Sequence, residues 1–377
     1  VSEAHASDYL SKTHEIHSFN AYLAEVQGSN SLVLRYRQKE ISIALAPLLV
    51  GRDPSCTLSL ALPTISRYHA VIYRFGRNYI VRDLHSTNGV FLNQVQVYQA
   101  PIRPGDHLRF GDQEFEVLAG PSSGQTYASE CAVLFMDVAN STALTEQYGE
   151  AFSQYLHAEI SRLEDRIFWN LGCPVKHLGD GLMSVFGLWP PPSDRYYLAD
   201  KALESAYLAV QHIRNLNRFP GLRLRVGMAY GEVSVIEQES LDFFGDTVNL
   251  AARLEFSNKL YGTEIMMSES FYRMLNNREG LREIDTVRVQ GKQLPVNIYT
   301  LDENVLQSNN HAYIDLYHMA LNFYRQGLFK EALECLKQPP VDGDAPSQQL
   351  KVRIMKILAG QIETPTTWDG VWNIDKE

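Results

Sequence analysis

Apolar positions come in short bursts over the first third of the chain and in longer blocks after it. Leu32-Val33-Leu34, Ala70-Val71-Ile72-Tyr73 and Tyr79-Ile80-Val81 are brief runs rich in β-formers. Turn residues punctuate them: Pro54, Gly76-Arg77-Asn78, Asn88-Gly89, Pro104-Gly105-Asp106 and Gly111-Asp112. This spacing predicts a β-sandwich or barrel over residues 21–118. Residues 119–128 (AGPSSGQTYA) are small and polar, the composition of a linker, rigid or mobile. From 129 to 302 strand and helix patterns alternate. Ala132–Val138 is an apolar run that ends in an acid, Asp137. Thr142–Asn170, Asp194–Asn217 and Thr247–Leu260 read as helices, and Leu222–Ala229 as a strand. Val175–Leu178 and Leu182–Phe186 flank Gly179-Asp180-Gly181, as the arms of a tight hairpin would. Such a mixture makes an α/β or α+β sheet domain. Residues 311–377 read as helical, and residues 1–20 as a flexible tail.

Composition narrows the function. A chain of 377 residues holds two or three domains. Its 45% hydrophobic and 21% charged residues are those of a globular protein and exclude wholesale disorder. Lys+Arg is 34 against 44 Asp+Glu, a net charge of -10, which gives no general pull on polyphosphate. Nucleic acid is therefore not an expected partner. No apolar run reaches the length of a membrane helix, and the first thirty residues lack an apolar signal core, so a cytoplasmic location is expected. The chain starts at Val1 rather than Met, which leaves open residues upstream of it or an unusual start. Cys56, Cys131, Cys173 and Cys335 are too scattered for a disulfide framework and read as reduced thiols. His5, His14 and His17 lack the carboxylate or thiol spacing of a metal site. Gly187–Pro192 reads as a loop between strand and helix, and Trp368-Asp369-Gly370-Val371 as an aromatic anchor for the tail.

Three segments of the sandwich region carry chemistry. They are Gly51-Arg52, then Ser66-Arg67-Tyr68-His69, then Asp83 to Asn93 (DLHSTNGVFLN). Fork-shaped cations and hydroxyl donors are what a phosphate needs. In this order and spacing the segments resemble the forkhead-associated (FHA) domain, a β-sandwich whose loops bind phosphothreonine peptides. The resemblance implies that Arg52 and Arg67 pair with the phosphate and that Ser66 and Thr87 donate hydroxyl bonds. Asn88 would hold the peptide backbone with help from Asn93, while Gly51, His69 and Gly89 would fix the loops.

The second region delivers Asp137 to a strand end and Asp180 to a hairpin tip. Two carboxylates so placed suit Mg²⁺, with room left for phosphate oxygens. Asn249 and Arg253 are four apart in a helical stretch, and Arg is a planar, permanently charged fork for phosphate. A metal site plus a helix-borne Arg points to phosphoryl or nucleotidyl transfer. The segments FMDVANST (135–142), VKHLGD (175–180) and LDFFGDTVNLAAR (241–253) resemble the catalytic domain of class III nucleotide cyclases. That resemblance implies an α+β, ferredoxin-like fold over 129–302. It assigns the metals, two Mg²⁺ or Mn²⁺ per site, to Asp137 and Asp180. It assigns adenine to Lys176 and Asp242, ribose orientation to Asn249 and transition-state charge to Arg253. Lys292 lies near the family's triphosphate-contacting lysine, by a looser alignment. Adenine presents an acceptor at N1 and a donor at N6, which Lys176 and Asp242 complement; guanine reverses the pattern. ATP is thus the expected substrate. The proton acceptor stays open among a water, a substrate phosphate and a metal-bound hydroxide.

The family dimerises head to tail, so identical chains with all six residues imply a symmetric homodimer with composite active sites. Ala320, Phe323, Gly327, Phe329 and Ala332 resemble the packing positions of a tetratricopeptide (TPR) unit. With one unit visible, a helical hairpin packed on its neighbour is expected. The expectation is an adenylate cyclase governed or localised by a phosphothreonine protein or peptide; the alternative is a catalytically silent, phosphopeptide-dependent dimeric scaffold.

Overall fold

The structure is a computed structural model that describes residues 31–374 apart from 44–46, 76–77, 121–125, 188–194, 217, 238–240, 290–293, 304–311, 342, 363 and 365–367. The histidines of the first twenty residues, the proline-rich loop and Lys292 lie outside the described residues. The chain divides into two compact units. One is Val1–Cys131, Ser141–Ser205 and Glu232–Gly245; the other is Ala132–Asn140, Ala206–Gly231 and Asp246–Glu377.

The first unit opens with eleven strands: β1 (Leu32–Tyr36), β2 (Lys39–Ile43), β3 (Leu48–Gly51), β4 (Leu58–Ser59), β5 (Ala70–Phe75), β6 (Asn78–Asp83), β7 (Val90–Leu92), β8 (Val95–Val97), β9 (Gln99–Ile102), β10 (His107–Phe110) and β11 (Gln113–Ala119). They form two sheets, β2-β1-β11-β10-β7-β8 and β4-β3-β5-β6-β9, as the sandwich pattern predicts. The register Leu34↔Val117 in one sheet and Ile72↔Val81 in the other points alternate side chains into a shared core with Val50, Leu108, Phe110 and Phe115. Strand β6 breaks the alternation, because all six of its residues are buried. Its outer face is covered as well as its inner one.

That cover comes from the same unit. Strand β12 (Thr126–Ala139) leads to helices α1 (Ser141–Tyr148) and α2 (Glu150–Trp169), then to β13 (Gly172–Leu178) and β14 (Gly181–Phe186). The single helix expected over 142–170 is two helices. Gly149 separates them at φ 61°, a left-handed conformation that a helix interior does not allow. Helix α2 buries Leu156, Ile160, Leu163 and Ile167 along one stripe, and its Phe168 ring lies 4.7 Å from the Tyr73 ring of β5. The expected hairpin is present, with Cys173↔Val185 and Leu178↔Gly181 in register. Strand β12 begins inside the stretch expected to be linker.

Next along the chain come α3 (Arg195–Arg214), β15 (Arg223–Glu237), β16 (Leu241–Phe244), α4 (Asp246–Tyr261), β17 (Ile265–Ser268), α5 (Glu269–Arg273), β18 (Leu281–Arg288) and β19 (Val296–Leu301). In the second unit β15 pairs parallel with β17, which pairs antiparallel with β19, and β19 with β18. Strand β16 was not expected from the sequence. It pairs back on the end of β15 within the first unit, Ile236↔Asp242.

The last segment is α6 (Ala312–Arg325), α7 (Phe329–Cys335), α8 (Ala345–Leu358) and a short β20 (Trp372–Asn373). It is not wholly helical, since β20 pairs parallel with β18 through Val287↔Trp372. The tail is anchored by aromatics, as expected. The Trp368 indole donates to the Tyr324 carbonyl at 2.8 Å. Buried Arg353 sits 4.3 Å from the Trp372 ring and donates to Asp285 at 2.6 Å. The architecture is thus multidomain: a β-sandwich, an α+β region and C-terminal helices. No described helix is long and apolar enough to cross a membrane.

Candidate functional site

The loops at one end of the sandwich bring the phosphate-type residues together. Strand β3 ends at Gly51, and an added Cβ there would lie 2.0 Å from the Arg67 carbonyl oxygen. Only glycine lets these two loops run so close. Their backbones are then laced, Arg52 N–H to the Ser66 carbonyl at 3.0 Å and Asp53 N–H to the Arg67 carbonyl at 3.2 Å. Both arginines are exposed. Neither guanidinium has a hydrogen bond or salt bridge to a described residue. Ser66 Oγ accepts from Thr87 N–H at 3.0 Å and lies 3.4 Å from Thr87 Oγ1, so the two hydroxyls face one opening. Asn88 Nδ2 donates to the Thr64 carbonyl at 2.8 Å. Asn93 does not join them. Its side chain donates to Asp106 and accepts from His107 N–H, both at 2.8 Å, and so braces the β7–β8 turn.

His69 explains the rigidity of this frame. It is fully buried, and its Nδ1 accepts from Ser66 N–H at 3.2 Å while Nε2 faces the Gly89 carbonyl at 3.1 Å. That pair of partners selects the Nε2–H tautomer. Burial, opposed by the Gly89 bond, lowers its pKa and keeps the ring neutral.

The hairpin of β13 and β14 presents Lys176 and Asp180. Lys176 is exposed, and its Nζ lies 3.9 Å from Asp242 Oδ1 on β16. The sequence-predicted donor–acceptor pair is thus brought together inside the first unit by a strand the sequence did not reveal. Asp180 sits in the turn. Its Oδ2 is buried without a hydrogen-bond partner among the described residues. A carboxylate oxygen buried without a partner is costly, and a cation would remove that cost.

In the second unit, Asp137 lies near the end of β12. Arg225 of β15 donates to its Oδ2 at 2.7 Å and to Glu255 of α4 at 2.8 Å. Sequence reasoning missed Arg225 and Glu255. The two arginines, Arg223 and Arg225, among the apolar positions of the expected strand were the available signal. Asn249 and Arg253 lie one turn apart on α4. The Arg253 guanidinium has no acceptor among the described residues. Helix α4 approaches β15 at Gly227, where a Cβ would lie 2.1 Å from both the Ala251 carbonyl and the Glu255 nitrogen. Buried Asn258 fastens the same contact by donating to the Val226 carbonyl at 3.0 Å.

Oxygen-only ligands, with one buried oxygen unpartnered, fit a hard divalent cation such as Mg²⁺ or Mn²⁺. No group of three or more His, Cys, Asp or Glu that could hold a metal occurs among the described residues.

A family model described as FHA domain matches residues 48–111. One described as adenylate and guanylate cyclase catalytic domain matches residues 125–303. "Adenylate cyclase, terminal-differentiation specific" of Dictyostelium discoideum is 24% identical over 274 residues, 66% of this chain and 12% of that protein. "Adenylate cyclase 1" of Rhizobium meliloti is 27% identical over 191 residues, 46% of this chain and 27% of that protein. "Transcriptional regulatory protein EmbR" of Mycobacterium tuberculosis is 37% identical over 78 residues, 20% of each chain. The chain thus spans well under half the length of each of these relatives. Residues 125–303, which hold the hairpin and the α4 helix, thus match an adenylate and guanylate cyclase catalytic domain, and residues 48–111, which hold the loop frame, match an FHA domain ahead of it.

Proposed function

We propose that this protein is an adenylate cyclase, converting ATP to 3′,5′-cyclic AMP and pyrophosphate as a symmetric homodimer, and that its FHA domain binds a phosphothreonine protein or peptide. The observation that carries the nucleotide assignment is Lys176 beside Asp242 at 3.9 Å. Together they offer a donor for adenine N1 and an acceptor for the N6 amine. Guanine would oppose like groups at both positions, and mispaired polar groups in a closed site cost about 1–3 kcal/mol each.

In this reading Asp137 and Asp180 hold Mg²⁺ or Mn²⁺, which when bound supplies Lewis acidity and charge neutralisation at phosphate and ribose oxygens. The chain's own residues do the rest. Lys176 and Asp242 orient the base. Asn249 holds the ribose so that its 3′ oxygen faces the α-phosphorus. Arg253, with no competing acceptor on its own helix, meets the negative charge that grows as that oxygen attacks and pyrophosphate leaves. In the FHA domain, Arg52 and Arg67 grip the phosphate from a frame already fixed by Gly51 and His69, so little ordering cost remains on binding.

The test is to incubate the full chain with ATP and Mg²⁺ or Mn²⁺ and assay cyclic AMP, with GTP as competitor substrate and Asp137→Ala as control. Metal-dependent cyclic AMP, lost at least about a hundredfold in the variant, is the expected result. A well-folded dimer that makes none, with and without phosphothreonine peptide, would leave a phosphopeptide-dependent scaffold as the function.

A further inference from the structure

A buried charge cluster joins the FHA sandwich to the purine-reading strand inside the first unit. At its centre is Arg82 of β6, with its side chain fully buried. Its Nε donates to Asp165 Oδ1 at 2.8 Å, and one terminal nitrogen donates to Glu164 Oε2 at 2.5 Å and to Gln99 at 2.9 Å. The other donates to Tyr98 OH at 3.1 Å and to the Ser161 carbonyl and hydroxyl at 2.5 and 2.9 Å. Every guanidinium nitrogen is therefore engaged, and both acids come from α2.

One guanidinium faces two carboxylates; the Tyr98 hydroxyl donates to Asp165 Oδ2 at 2.7 Å, and two imidazoles face the same acids. His177 Nε2 lies 2.8 Å from Glu164 Oε1, and His85 Nε2 lies 3.2 Å from Asp165 Oδ2. These histidines sit at informative places. His85 immediately precedes Ser86-Thr87-Asn88 in the phosphate-binding loop. His177 immediately follows Lys176 on β13. The register of β13 shifts between Pro174 and Lys176, so Lys176 is the first residue paired after the irregularity, opposite Met183, with His177 next to it opposite Leu182. Lys176 is exposed and its pairing with Asp242 is long. The next residue is held on two sides, by Glu164 and by the Phe75 ring of β5 at 5.0 Å.

We propose that His177 is a positioning residue for Lys176, and that Arg82, through Glu164, makes its setting depend on the FHA domain. This deepens the cyclase reading and rests on it. The FHA domain thereby forms part of the wall that aims the adenine-reading lysine, and a phosphopeptide that moves the His85 loop alters the same acidic pair.

The experiment uses the full chain and two readouts, ATP kinetics and the affinity of a fluorescent N-methylanthraniloyl-ATP measured without turnover. His177→Ala should weaken both KM and analogue affinity roughly tenfold, with kcat changed much less, because the base is misplaced rather than the reacting atoms removed. His177→Gln keeps an N–H for Glu164 and should restore most of the loss, which a merely structural role would not distinguish. Arg82→Ala would strand two buried acids and is expected to unfold the chain. The triple variant Arg82→Met, Glu164→Gln, Asp165→Asn leaves no unpaired buried charge and should reproduce the His177→Ala loss of affinity. Folded His177→Ala protein with unchanged KM and analogue affinity overturns the positioning role. A folded triple variant with normal nucleotide affinity overturns the dependence on the FHA domain. A wild-type chain that neither binds the analogue nor makes cyclic AMP overturns the cyclase reading itself, and the proposal with it.

Discussion

Arg52 and Arg67 stand exposed with no salt bridge among the described residues, Arg67 feeling only the nearby charge of Asp53, whereas Arg225 is held by Asp137 and Glu255 at once. Both regions use a glycine to bring an arginine-bearing element close: Gly51 beneath the Arg67 carbonyl, Gly227 beneath α4. The scaffolding device is the same and the electrostatics are opposite. In the FHA loops hydrogen bonds to the backbone and the neutral His69 do the bracing, which leaves the cations for a ligand. In the second unit charges do the bracing, so Arg225 is spent on architecture and Arg253 is the one left for a ligand. On the proposed function, a phosphate would dock on the first site without breaking a salt bridge, while a metal at Asp137 would share its carboxylate with Arg225.

The largest effect should come from removing the uncommitted cations. Arg52→Ala with Arg67→Ala deletes two charge-assisted contacts, each worth about 1.5–3 kcal/mol, so phosphothreonine-peptide affinity should fall by a hundredfold or more, roughly. Because neither guanidinium supports the fold, the melting temperature should hardly move. A calorimetric titration beside a melt checks both halves. A large drop in stability would mean these arginines are committed after all, and the contrast between the regions would fail.

Gly227→Ala comes next. Its Cβ would meet backbone atoms rather than a side chain that can swing away. Helix α4 must therefore shift, at about 1–3 kcal/mol by the usual cost of overpacking. Asn249 and Arg253 ride on that helix, so kcat should fall while KM changes less. A urea titration with steady-state kinetics would show it. Unaltered stability and kcat would mean the contact yields easily and does not set the helix.

The parts legible in the sequence are those fixed by local grammar. The sandwich strands, the hairpin holding Asp180 and the exposed residues at turns follow from short-range patterns. What stayed hidden depends on partners far along the chain. Arg82 lies 82 and 83 residues from Glu164 and Asp165, and no spacing rule connects them. The clue was an arginine inside the apolar run of β6 and two acids beside the buried stripe of α2, each odd alone. Strand β16 was missed because four residues with Asp at the second position carry too little period to distinguish strand from loop. The break at Gly149 was missed because one glycine inside a helical pattern is usually tolerated.

The smallest expected effect is a pH dependence whose sign separates the neutral brace of the FHA loops, His69, from the charged cluster around Arg82. Asp165 raises the pKa of His85 through a hydrogen bond, against partial burial. Burial alone would lower His177, but the bond and charge of Glu164 outweigh it and leave it raised. Arg82 also faces both rings and opposes their protonation, and Asp83 favours it at His85. For Glu164 itself burial works upward, yet Arg82 and His177 bring it down to about 2. The raised histidines contribute stability that is fully present below the ordinary 6.5 and fades as pH rises through their native values. The depressed Glu164 contributes stability that is present above the ordinary 4.5 and fades only as pH falls toward about 2. His69, lowered by burial, works the other way: its contribution is present above 6.5 and is lost as pH falls below that value. Urea midpoints of wild type and of a His85→Gln, His177→Gln double variant should therefore stand furthest apart below pH 6.5 and converge as pH rises from it. A His69→Gln variant should show the opposite trend against wild type. If the double variant tracks wild type in parallel across that window, the two imidazoles carry no charge in the cluster, and the acidic excess around Arg82 is balanced by hydrogen bonds alone.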